Sequence, residues 1–262
     1  MNEKIIDNIA INAINEFKHL HLGHKDVITP YFINDKYHKD LRAMVGKGTP
    51  EEIIMEAKIW EKLKGVSFEN MSSDKIKQFL TDKKIGIDCS GFIIHVLDKL
   101  YKKITNKHIW SLLKVPNKSF MGKLRYFLRP VENLGAEIIT NEENTIKIDI
   151  INVLPTDLIR SKAKKINAHH IMIITKVEYD KNNVPCIIEY THSSPNYGDL
   201  NGIKEGVIKI NNVNEPLQAQ EWLEKDAFGV NHTYEGFLIE AQDNGIRRIK
   251  GLNFQSTSVL LN

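Results

Sequence analysis

The stretch Gly86-Ile87-Asp88-Cys89-Ser90-Gly91-Phe92 holds one of the chain's two cysteines, and the residues around it favour a reactive thiol. Apolar residues follow at Phe92, Ile93, Val96, Leu97, Leu100 and Tyr101, at intervals of three and four, which predicts an amphipathic helix beginning at the cysteine. A thiol in the first turn of a helix faces unpaired backbone N–H groups and the positive end of the dipole. Its pKa is therefore expected to fall, giving the thiolate that acyl transfer uses as nucleophile. The alternative use of Cys89 is as a small buried hydrophobe.

A cysteine nucleophile needs a base. His169 and His170 open the run Ile171-Met172-Ile173-Ile174-Thr175-Lys176-Val177, which reads as a buried strand, and a second strand runs from Val184 through Tyr190 after a polar turn. An antiparallel hairpin centred on Lys181 would set His170 opposite His192 on one face, within reach of each other. His192 would then orient the imidazole of His170, completing a nucleophile, base and orienting residue. A slip of one residue would separate the two faces.

Four segments together resemble the NlpC-like murein endopeptidase family of papain-like cysteine peptidases. They are Asp88-Cys89-Ser90-Gly91-Phe92, Leu154-Pro155-Thr156-Asp157-Leu158-Ile159, His170-Ile171-Met172-Ile173-Ile174 and Tyr190-Thr191-His192-Ser193-Ser194. Their order matches the family's Asp-Cys-Ser-Gly turn, Pro-Gly-Asp-Leu-like segment, His-aliphatic-Gly-aliphatic strand and later polar residue. The resemblance covers about residues 85 to 210. It implies Cys89 as nucleophile, His170 as base and His192 as orienting residue, with His169 as bystander or fallback base. It also implies Asp88, Ser90 and Tyr31 as substrate-binding residues, a peptide or murein-fragment substrate, and no cofactor. Asp88 has a second use as the helix cap. The family's Tyr-x-Trp-Gly-Gly-like segment before the cysteine is missing, Pro30-Tyr31 being a faint echo, and its Gly after the histidine is Met172 here. Competing readings are an acyltransferase, a hydrolase of a non-murein amide or ester, or a binding module that retains the scaffold.

The elements that must hold these residues follow from the rest of the chain. Ile5, Ile6, Ile9, Ala10, Ala13, Ile14, Phe17 and Leu20 predict a helix over residues 3 to 20. Thr49 as cap, Pro50, Glu51 and Glu52 in the first turn and Gly65 at the exit predict a helix over 49 to 65, burying Ile53, Ile54, Ala57, Trp60 and Leu63. A shorter helix is predicted from Ser73 to Thr81. The spacing of 81 positions from Cys89 to His170 implies an insertion within about 103 to 148. There Ser119 through Arg129, ended by Pro130, reads as a helix or as a basic and aromatic groove. Strands are predicted at 206–210, 236–239 and 246–250. The expected fold is α+β and papain-like: a helical region over 1–84 packed on a catalytic core over 85–262, with helices carrying the cysteine and an antiparallel sheet carrying the histidines.

At 262 residues, with 42% hydrophobic and 26% charged residues, the chain has the composition of a globular protein. A net charge of +3 gives no nucleic-acid footprint, and the run Lys162-Ala163-Lys164-Lys165 reads as a solvated loop. His19, His21, His24 and Asp26 are not spaced to share a face, so no metal site is expected. Two cysteines do not make a disulfide scaffold. No signal peptide or membrane span is apparent, and the expected location is cytoplasmic, with release by lysis or export if the substrate is murein.

Overall fold

The computed structural model describes residues 2–33, 41–115, 119–162, 169–195, 201–226, 228–238 and 243–252. Residues 163–165 of the lysine run lie outside this set. The chain begins with strand β1 (Asn2–Ile5) and helix α1 (Asn8–Lys18), followed by a small hairpin of β2 (Leu20–Leu22) and β3 (Lys25–Val27). Helices α2 (Pro50–Lys64) and α3 (Ser73–Asp82) precede the long α4 (Cys89–Thr105). The segment expected as an insertion contains α5 (Phe120–Leu128), α6 (Ala136–Ile139) and β4 (Thr145–Ile148). Then come β5 (Leu158–Lys162), β6 (His169–Tyr179), β7 (Pro185–Ser194), β8 (Gly202–Lys209), β9 (Glu221–Trp222), α7 (His232–Leu238) and β10 (Gly245–Ile249).

The fold is α+β. An eight-stranded sheet runs β4-β10-β5-β6-β7-β8-β9, with β1 also paired to β6, and every strand pairing in it is antiparallel. β5 pairs with the first half of β6 and β1 with the second, both on the edge opposite β7. Alternation along β6 divides the core between the sheet's two faces. Ile171 and Ile173 pack with α1, α3 and α4, while Met172 and Ile174 pack with Ile188, Tyr190, Ile208 and Trp222.

Local chemistry explains the helices that position the site. Thr49 and Glu52 form a reciprocal capping box on α2, and Gly65 closes it in the left-handed conformation. Ser72 caps α3. Asp88 caps α4, accepting from the Gly91 N–H at 2.6 Å.

Four expectations need correction. The helix predicted over residues 3 to 20 is a strand followed by a shorter helix: Asn2–Ile5 pair with residues 176–179 of β6, Asp7 caps α1, and Leu20 starts β2. The periodicity in Ile5 and Ile6 could not reveal the open stretch of β6 edge that recruits them. Residues 236–238 belong to α7, not to a strand; Asn231 accepts from the Tyr234 N–H at 2.7 Å and starts a helical turn there. Leu63 is 68% exposed, because the last turn of α2 runs past the core. Finally, the β6–β7 register sets Ile173 opposite Thr191 and Ile174 opposite Tyr190, with irregularities farther along. His192 therefore lies two residues from its expected alignment with His170. A shift of two preserves the face, so both histidines still point the same way.

Candidate active site

Cys89 is the first residue of α4, and the chain leading to it is held on both sides. The Ile87 N–H donates to the Pro30 carbonyl at 3.0 Å, the Ile87 carbonyl accepts from the Phe32 N–H at 3.3 Å, and the Asp88 N–H donates to the Gly46 carbonyl at 3.0 Å. Pro30-Tyr31, remote in sequence, thus runs alongside the turn that leads into Cys89. Gly46 has φ +78°, and a Cβ there would lie 2.2 Å from the Phe32 carbonyl oxygen, so only glycine fits.

The β6–β7 ladder begins at Ile173 and Thr191, which leaves the first residues of β6 splayed from the last of β7. The start of α4 occupies this fork. The Ser193 hydroxyl donates to the Ile87 carbonyl at 2.8 Å, and the Cys89 thiol makes a long contact, 3.9 Å, with the His169 carbonyl. The Ile171 N–H also acts on the sulfur. Sγ therefore lies against the backbone on either side of His170.

Cys89 is 5% exposed, and its thiol is pushed up to about 12, first by burial and then by the Asp88 carboxylate. The Ile171 N–H, Lys47 and the Ser90 N–H pull the other way with less effect. This corrects the expected fall: the helix terminus is present, but desolvation outweighs it, and the resting sulfur is a thiol.

Asp88 is fully engaged. It accepts from the Lys47 ammonium at 2.9 and 2.8 Å on its two oxygens, and from the Ser90 hydroxyl at 2.9 Å. Lys47 also donates to the Ser90 hydroxyl, and all three residues are buried. Asp88 and Ser90 thus stabilise the helix start and its buried ion pair. Tyr31, Lys47, Asp88, Cys89 and Ser90 line a cavity of about 280 Å³ together with Glu132, Glu137 and His169. The pair Gly135 and Ala136 brings part of the expected insertion into the cavity wall.

His170 and His192 do meet: His170 Nε2 lies 2.7 Å from His192 Nδ1. His192 Nε2 lies 3.1 Å from Glu224 Oε1, and Tyr190 donates its hydroxyl to Glu224 Oε2 at 2.6 Å. The side chains of His192 and Glu224 are fully buried. These four residues share the Met172 face of the sheet, whereas His169 and Ser193 share the Ile171 face. Burial, reinforced by His192 and opposed by Glu224, pushes His170 down to about 3, so it is neutral at ordinary pH. His169 is also pushed down by burial; neither of its ring nitrogens has a hydrogen-bond partner, and Glu137 lies 3.8 Å away.

The structure brings Cys89 to the backbone flanking His170, joins His170 to His192, and sets His169 beside Cys89 in the cavity. Sequence reasoning missed Lys47, Glu132, Tyr190 and Glu224. Tyr190 shares the two-residue spacing of His192 and was readable as a neighbour on the same face. Among the described residues no group of His, Cys, Asp and Glu is arranged to hold a metal ion, and both cysteines are free. No family model, curated protein or solved structure matches this chain.

Proposed function

We propose that this protein is a papain-like cysteine hydrolase, similar to the NlpC-like murein endopeptidases, that cleaves an amide bond in a cell-wall-type peptide. The observation that carries the reading is the half-buried His170–His192 pair, 2.7 Å between nitrogens, on the strand segment against which the Cys89 sulfur lies. Because the resting sulfur is protonated and His170 neutral, the thiol proton leaves as the bond forms instead of residing on a preformed ion pair.

His170 takes the Cys89 proton while sulfur bonds to the amide carbon and the carbonyl oxygen becomes an oxyanion. The backbone N–H of Cys89, in the first turn of α4, faces that charge, a donor worth about 3 kcal/mol in characterised enzymes. The C–N bond then breaks, and the leaving amine takes the proton from His170. Water, deprotonated by His170, attacks the thioester; the acid departs and the thiol recovers its proton. Tyr31 and the side chains of the 280 Å³ cavity contact the peptide, and the Lys47–Asp88 pair keeps the helix start rigid beneath it.

The test is hydrolysis of a panel of cell-wall-type peptides by the wild type and by Cys89→Ala and His170→Ala, all carrying Cys186→Ser. Wild-type cleavage should fall at least about a hundredfold in either variant. Retained cleavage by Cys89→Ala, or no cleavage of any panel member by the wild type, overturns the proposal.

A further inference from the structure

We infer that Glu224 is a positioning residue that fixes the tautomers of His192 and His170, so that Nδ1 of His170 is the bare nitrogen available as base. The inference rests on the proposed role of His170 and extends the proton-carrying chain to a residue 135 positions beyond Cys89.

The chain of contacts admits two polarities. With Glu224 ionised, both its oxygens can only accept. Oε2 takes the Tyr190 hydroxyl and Oε1 takes a proton donated by His192 Nε2. A neutral imidazole carries one proton, so His192 Nδ1 is then an acceptor, and the 2.7 Å contact requires His170 to donate from Nε2. His170 Nδ1 is left with a lone pair. With Glu224 protonated and donating to His192, every step reverses, and His170 Nδ1 carries a hydrogen and cannot act as base.

The short Tyr190 contact favours the first polarity. Tyr190 donates at 2.6 Å, a charge-assisted length. Its ring reaches Glu224 across Gly206 of β8, where any Cβ would lie 2.2–2.6 Å from the ring atoms. The glycine thus clears the path by which the hydroxyl holds the carboxylate in place. Glu224 itself follows β9, which is fastened to β8 by pairing of Trp222 with Ile208.

The test is the nitrogen-15 NMR spectrum of the histidine side chains at neutral pH, recorded on the full chain with Cys89→Ala. That variant removes the thiol from the measurement. Both His170 and His192 should appear as Nε2–H tautomers; a His192 protonated on Nδ1 overturns the inference. In Glu224→Leu the preference should be lost at both rings, and Glu224→Asp should restore it; unchanged tautomers in the leucine variant overturn the inference. If that variant does not fold, the pattern of the Cys89→Ala protein with Glu224 intact decides alone. Failure of the catalytic reading is separable, because it would leave these tautomers as described while peptide cleavage survives in His170→Ala.

Discussion

Lys47 does its work without touching the thiol. Its ammonium and the Asp88 carboxylate are nearly closed to solvent, with side-chain exposures of 8% and 4%. Removing one partner would leave the other as an uncompensated buried charge, at a cost of about 3–5 kcal/mol. Lys47→Met should therefore lower stability by that order in urea denaturation, and adding Asp88→Asn should recover part of the loss; equal stability of Lys47→Met and wild type would count against the pair. At this scale the sequence was legible where the signal was local. Cys89 could be found because Asp88 and Gly91 flank it and the helical stripe starts behind it. Lys47 and Glu224 could not, since a contact spanning 41 residues, or the 32 from His192 to Glu224, leaves no mark on either neighbourhood.

Thr156 shows how an element can be strained to deliver a residue. It has φ +79° in the turn before β5, where a β-branched residue is an outlier. The turn lets Asp157 accept from the Leu154 N–H at 2.8 Å and pair with Arg248 of β10 at 2.7 Å, tying the start of β5 to its neighbour. Thr156→Gly should relieve about 1–2 kcal/mol of backbone strain and give back part of it through the more flexible unfolded chain. A rise of about 2–4 °C in thermal midpoint is expected for a chain of this size, read by calorimetry. Capped helices such as α2 were readable to within a residue, since their stop signals lie in the segment itself. β1 and α7 were not, because the first depends on an unoccupied stretch of strand edge and the second on the Asn231 cap. The face of the β6–β7 hairpin was readable although its alignment was two residues off, because alternation fixes the side and only irregularities fix the count.

Across the whole molecule, three imidazoles with depressed pKa values contribute to the response to acid. His95, His169 and His170 all have pKa values pushed below the ordinary 6.5 by burial, His170 to about 3. The unfolded chain binds protons on these rings as pH falls below about 6.5, while the folded chain takes them up only at lower pH. The stability that depends on neutral rings is therefore complete above that range and is lost as pH falls through it toward 3, at up to about 1.4 kcal/mol per pH unit for His170 alone. Urea midpoints should be lower at pH 5 than at pH 7, and His170→Gln should shallow the difference; a difference unchanged by the substitution would remove His170 from this account.

The same span has a consequence for how the protein comes into being. A chain growing at about 5–20 residues per second makes Cys89 about 7 to 27 seconds before Glu224, 135 residues later. Until β9 docks on β8, Glu224 is not in place beside His192. On the mechanism proposed above, a chain that stops short of β9 carries Cys89 without the complete proton relay.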